Sequence, residues 1–273
     1  GLDRPVLLQY ARFVGREVQG DLGISYRNQR PVARLIADRL PATLELVLAA
    51  TLLALAFGIP LGVLCALRPD GILARAVQAL SLVGISTPTF VTGIALILVF
   101  AVGLKLVPSV GRGEVVTLGG WTTGYLTASG LRSLILPAIT LSLFQLTLIM
   151  RLVRSEMLEV LRTDYIKFAR ARGLTNRAVH FGHALKNTLV PVITITGLQL
   201  GQIIAFAIVT ETVFQWPGMG LLFIQSVQFA DIPVMAAYLC LIALVFVLIN
   251  LVVDLLYFAV DPRLRIDRAA GAH

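Results

Sequence analysis

RLVRSEMLEVLRTDYIKFARARGLTNRAVHFGHALKNTLVP, residues 151–191, lies between two long apolar segments. It carries eight of the chain's 23 basic residues (Arg151, Arg154, Arg162, Lys167, Arg170, Arg172, Arg177 and Lys186) against three acidic ones, Glu156, Glu159 and Asp164. Lys and Arg beside apolar spans resist export, so a basic loop of this kind belongs on the cytoplasmic side of a membrane. Within it the pattern predicts a short helix. Thr163 is placed to cap it, Asp164 puts a negative charge where the helix dipole favours one, and Gly173 suits the left-handed residue that ends it. Tyr165, Phe168 and Ala169 share one face at spacings of three and four, with Lys167 and Arg170 towards another. Nothing here is built for covalent chemistry. The loop offers aromatic knobs and charge, which reads as a docking surface.

Working outward, 57% hydrophobic and 14% charged residues among 273 are far from a soluble domain, in which roughly a quarter are charged. Long unbroken apolar runs exclude the alternating ten-residue segments of a β-barrel and give an all-α, polytopic bundle. Five spans are expected, near residues 41–67, 76–106, 131–152, 187–210 and 233–260. The second is too long for one upright helix, and Pro88, with Gly84 and Gly93 near it, should kink or divide it. Three regions follow: an extracytoplasmic helical collar over 1–40, a transmembrane domain over 41–260 that includes the cytoplasmic loop 154–186, and a cytoplasmic tail over 261–273. In the collar, Pro5 and Pro31 each open a short helix, with a turn over Ser25–Gln29 between them. An odd number of spans puts the ends on opposite sides. The collar's seven arginines then strain the charge rule, so a sixth span is inferred upstream.

The net charge of +8 sits largely at span ends, where it serves topology and lipid headgroups. No basic module interleaved with aromatics is present, so nucleic acid is not an expected partner. The three lysines, Lys105, Lys167 and Lys186, none of which follows a glycine, rule out a phosphate-binding Gly-Lys-Ser/Thr loop on this chain. His180 and His183 are three apart but have no Asp, Glu or Cys at ligand spacing, and no metal site is expected. Polar residues inside the spans mark a pathway or a pairing. Glu45 and Glu211 fall near the outer ends, where water reaches them. Gln145, Gln199, Gln202 and Asn250 lie deeper and are candidates to line a hydrated passage. No repeat supports the inverted design of many ion-coupled transporters.

Several stretches together resemble the inner-membrane permease subunits of bacterial ATP-binding-cassette importers, in the peptide/nickel group with dipeptide and oligopeptide permeases of the B type. They are Gly20-Asp21-Leu22-Gly23, Ser86-Thr87-Pro88-Thr89-Phe90, Asp164-Tyr165 through Ala169-Arg170-Ala171-Arg172-Gly173-Leu174, His183-Ala184-Leu185-Lys186-Asn187, Glu211 through Gly220, and Asp261-Pro262-Arg263. The loop departs from the general importer motif, since Lys167-Phe168-Ala169 stands where an acidic residue and two alanines are usual. The resemblance implies the type I importer permease fold in a bacterial inner membrane, and no enzymatic activity on this chain. It implies partners as well: a second homologous permease subunit, two cytoplasmic ATPase subunits that hold ATP and Mg, and an extracytoplasmic substrate-binding protein. Tyr165, Phe168, Ala169, Arg170, Arg172, Gly173 and Leu174 would couple to the ATPase. Gln215, Trp216, Pro217, Gly218 and Met219 would meet the binding protein. Short peptides are the implied cargo, with nickel chelates, glutathione and other small oligomers carried elsewhere in the group.

Overall fold

The computed structural model describes residues 19–260 without a break and, before them, residues 5, 7, 8, 10, 11, 15 and 16. The expected helix after Pro5 falls partly outside these, and the tail 261–273 wholly so. Among the described residues, four helices are long and apolar enough to cross a membrane, and a bent pair makes a fifth span if counted as one. They are α1 (Val32–Leu67), the bent pair α2 (Ile72–Ser86) and α3 (Thr89–Leu96), α4 (Ala128–Val160), α6 (Leu185–Val213) and α8 (Ile232–Val260), with short α5 (Asp164–Ala171) and α7 (Met219–Gln228) between them. A π-helical stretch, Ile97–Gly103, continues α3, and a second, Ala178–Ala184, leads into α6.

The bend between α2 and α3 is 112° and centres on Pro88, as the sequence requires. Proline cannot donate in the helix ladder and biases the residue before it out of the helical region. The collar differs from expectation. Pro31 does open a helix, but that helix is α1, which runs through Pro41 to Leu67. A boundary at residue 40 therefore cuts one continuous rod. At about 1.5 Å per residue its 36 residues extend roughly 54 Å, well past a ~30 Å hydrocarbon core. Its outer turns, with Val32, Leu35 and Ile36, bury against Met219, Leu222 and Val234. The Ser25–Gln29 turn is stapled to the α7–α8 connection: Ser25 Oγ and the Tyr26 and Arg27 amides all donate to the Asp231 carboxylate.

The bundle is organised about α1 and α4, its most extensive helix pair. Ala54, Gly58, Gly62 and Ala66, four apart, form one small-residue stripe of buried positions on α1. A side-chain carbon added at Gly62 would lie 2.6 Å from Val153 Cβ and 2.7 Å from the Met150 carbonyl oxygen. Small residues let two backbones approach and gain dispersion contact where lipid supplies no hydrophobic drive.

Among the described residues, the loop between α3 and α4 holds the one β-sheet. Val116–Leu118 (β1) pairs antiparallel with Trp121–Thr123 (β2) across Gly119-Gly120, whose φ angles of +55° and +87° suit a two-residue hairpin turn. The glycine pair between two short β-prone runs is the signal that was available for it.

Candidate functional site

Three polar or projecting assemblies lie along the bundle, at its outer end, its middle and its inner end. At the outer end the hairpin closes over α1. Arg112 donates from Nε to Glu45 Oε2 at 2.7 Å, and from its two terminal nitrogens to Thr122 Oγ1 at 3.0 Å and the Thr122 carbonyl at 2.7 Å. The other Glu45 oxygen accepts from the Gly124 amide at 2.7 Å and from Thr123 Oγ1 at 3.2 Å, while Tyr125 OH donates to the Glu45 carbonyl at 2.7 Å. Burial, and then the Glu45 carboxylate, push the Tyr125 phenol up to about 12. Glu211 sits in a second closed set: Thr43 Oγ1 donates to it at 2.6 Å and the Leu221 amide at 3.0 Å, while Thr43 Oγ1 accepts from the Met219 amide at 2.8 Å. Gly218 leaves room for that carboxyl, since a side-chain carbon there would fall on it.

Water was expected to reach both carboxyls. Instead Glu45 is 4% exposed and Glu211 is fully buried. They are paired, as the other half of the expectation held. The segment after Glu211 is corrected too. Trp216 and Met219 were assigned to binding-protein contact. Both are buried, with Trp216 Nε1 donating to the Ala42 carbonyl at 2.8 Å. Trp216 packs among α1, α4 and α6, Met219 packs against α1 and α8, and Gly218 is buried too. Gln215 is exposed and Pro217 half-exposed.

In the middle, the break at Pro88 opens a cleft of about 430 Å³ between α3, α4 and α6. Gln145 of α4 and Gln199 and Gln202 of α6 line it, among Leu141, Phe144, Ile203 and Phe206. Three of the four expected pathway residues thus meet in one place. Asn250 does not join them: it lies on α8 with its amide turned back to the Phe246 carbonyl at 2.8 Å. Gln145 is 2% exposed, yet among the described residues its Nε2 has no hydrogen-bond partner, and neither has the buried Oε1 of Gln199. A buried polar atom without a partner costs about 1–3 kcal/mol. Among the described residues, no ionisable side chain lines the cleft.

At the inner end, α5 has two faces. Ile166 (0% exposed) and Ala169 (7%) bury into a cluster with Val63 and Ala66 of α1, Val153 and Met157 of α4, and Val179 and Ala184 ahead of α6. Tyr165, Phe168 and Leu174 are exposed, and the Arg172 guanidinium lies 5.8 Å from the Phe168 ring centre. Tyr165 OH accepts from Asn187 Nδ2, which ties the knob to α6. Two corrections apply. Ala169 belongs to the buried face, because Ile166 decides which side of this short helix turns inward; the sequence reading overlooked it, though it is the helix's lone large aliphatic. Thr163 stands at the cap position but donates its hydroxyl to the Val160 carbonyl at 2.6 Å, serving the end of α4 instead. Gly173 takes φ +80° as expected, and Lys167 pairs with Asp164 at 2.8 Å.

Apolar helices around a mid-span cleft that holds three glutamines, with a short helix projecting beyond their inner end, are the architecture of a membrane protein with a passage rather than of a soluble enzyme. The chain belongs to the family described as binding-protein-dependent transport system inner membrane component, whose model matches residues 58–266. It is 42% identical to the di/tripeptide transport system permease protein DppB of Pseudomonas aeruginosa, over 98% of this chain and 83% of that one. It is likewise 42% identical to the oligopeptide transport system permease protein AppB of Bacillus subtilis, over 97% and 82%. Its fold is shared with the MetNI methionine ABC transporter in inward-facing conformations, at a TM-score of 0.66 and 21% identity over 83% of this chain and 96% of that chain. The resemblance drawn from the motifs therefore holds. This is an inner-membrane permease subunit of a binding-protein-dependent transport system. Membership brings with it, in general terms, a permease partner, an ATPase and a binding protein.

Proposed function

We propose that this chain pairs with a second, homologous permease chain to form the passage for short peptides. A substrate-binding protein docks outside and delivers the cargo. Two cytoplasmic ATPase subunits, which hold the ATP and Mg, drive the cycle from within. Relatives that are 40–42% identical carry di/tripeptide, dipeptide and oligopeptide names, which supports peptide cargo.

The observation that carries this reading is the two-faced helix α5. Ile166 and Ala169 bolt it to three spans, so a push on its exposed face reaches the bundle without loss in a flexible joint. Tyr165, Phe168, Leu174, Arg170 and Arg172 face outward and fit a groove on an ATPase. A moving ATPase pair would carry the two permease chains' helices with it, and the passage would alternate between its two sides. Outside, Gln215 and Pro217 retain surface for the binding protein.

Burying an aromatic side chain contributes about 1.5–3 kcal/mol, so the double change Tyr165→Ala/Phe168→Ala should weaken ATPase association by roughly a hundredfold or more. Co-purification and ATP-dependent peptide uptake in proteoliposomes measure it. An intact complex with full uptake would sink the coupling role.

A further inference from the structure

Where α1 nears its inner end, a groove of about 370 Å³ lies between it and the start of α6 with the π-helical stretch ahead of it. Two irregularities shape this place. Pro60 has no amide for the helix ladder, and Ala178–Ala184 has the wider π-helical turn often found at functional sites. Among the described residues the lining is apolar, with Ile59, Leu67, Phe181 and Leu185 in its walls, except for Arg68 at the end of α1. Phe181 is 54% exposed, Arg68 is exposed too, and Arg68 makes no ion pair among the described residues. From Ile59 to Arg68 the helix rises about 14 Å, close to half of a ~30 Å hydrocarbon core. The groove is thus one leaflet deep, apolar along its length and cationic at the end where headgroups begin.

We infer that this groove holds an acyl chain of an anionic phospholipid, with the Arg68 guanidinium on its phosphate. The headgroup supplies the charge that the arginine lacks, and a guanidinium meets phosphate through two parallel N–H donors. A zwitterionic headgroup brings a phosphate too, but its own cation already answers it. Basic pockets between spans on the cytoplasmic side are where anionic headgroups collect. The stem of Arg68 can lie along the apolar wall while its head stays at the surface. A soluble anion would gain nothing from apolar walls. A span of another protein chain would cross both leaflets, whereas this groove stops after one. Val63 of the lining also belongs to the cluster that holds α5, so the lipid backs the inner end of the bundle where α5 is seated. The inference concerns the bilayer and is independent of the cargo.

The test introduces Phe181→Trp into the assembled importer, reconstituted in phosphatidylcholine vesicles with increasing shares of a lipid brominated on its acyl chains. Bromine quenches an indole that it touches. The chain's own Trp121 and Trp216 lie at the outer end, and the emission of the importer without the change is subtracted. Brominated phosphatidylglycerol should show an apparent affinity about fivefold above that of brominated phosphatidylcholine, the preference that one basic residue near an anionic surface supplies. Arg68→Gln should make the two lipids equal, and Arg68→Lys should keep most of the preference. Recovery of the full complex on size-exclusion chromatography establishes that the variants assemble. Equal affinities with Arg68 in place would overturn the inference. So would a preference that survives Arg68→Gln, which would be a general attraction to the chain's positive charge. Quenching by neither lipid would mean that protein covers the groove, and the inference would fall.

Discussion

The outer end and the middle of the bundle both bury polar side chains, and they treat them in opposite ways. Outside, Glu45 and Arg112 meet each other and three hairpin residues, and Glu211 is held by a hydroxyl and a backbone amide. In the middle, Gln145 and Gln199 each keep an atom with no partner. A polar group that holds elements together must be satisfied by the protein itself, or its desolvation is uncompensated. The difference is one between groups rather than regions, since the Thr210 hydroxyl beside Glu211 is also without a partner among the described residues.

Arg112→Ala tests the fastening most severely. A buried ion pair is weak evidence of net stability, but removing one partner strands the other and costs about 3–5 kcal/mol. Among the described residues, the Glu45 carboxylate would remain buried with only the Gly124 backbone amide and the Thr123 hydroxyl donating to it. We expect a large drop in melting temperature of the purified complex and freer proteolysis across residues 112–125. An unchanged melt would mean that the hairpin does not seal α1.

Thr43→Val comes next. It deletes the hydroxyl that donates to Glu211 and accepts from the Met219 amide, at nearly constant volume. A loss of about 1.5–3 kcal/mol is expected, read from the same melt. Equal stability would show that Glu211 is held well enough by the start of α7 alone.

The opposite sign is expected in the middle. Gln145→Leu replaces an unpartnered buried amide by an apolar group of similar size. Stability should rise by about 1 kcal/mol. A clear loss of stability would mean that the amide has a structural partner in the assembly, and the contrast between the two regions would fail.

Much of this was legible in the residues. The spans, the division at Pro88, the stop at Gly173 and the convergence of three glutamines follow from apolar length, proline geometry and the cost of polar groups at depth. What was not legible is partner choice across long separations. Glu45 and Arg112 are 67 positions apart, and no local period links them. The same limit explains Trp216: an aromatic in a turn-dense stretch reads as exposed until the Ala42 carbonyl, 174 positions away, is brought beside it. Ala169 failed for a different reason. In a helix of eight residues, one neighbouring aliphatic is enough to rotate the buried face. The Ala54, Gly58, Gly62 and Ala66 stripe and the Gly119-Gly120 turn carried readable signals that composition alone hid.

The smallest effect concerns Tyr125 and sharpens the fastening side. Its phenol stands at about 12 in the fold against an ordinary value near 10, because burial and the nearby Glu45 carboxylate disfavour the phenolate. The folded form thus holds its proton after the unfolded chain has begun to lose it. The stability this contributes is complete below pH 10 and is lost as pH rises from there through about 12. Melting temperatures of wild type and Tyr125→Phe, taken from pH 8 to 12, separate this from other alkaline effects. At pH 8 the variant should melt slightly lower, having lost the hydrogen bond to the Glu45 carbonyl. Above pH 10 the two curves should converge, since only wild type has a proton to lose at that site. Parallel curves across the whole range would show that Tyr125 titrates in the fold as it does in the unfolded chain, and that the hairpin end is wetter than its hydrogen bonds imply.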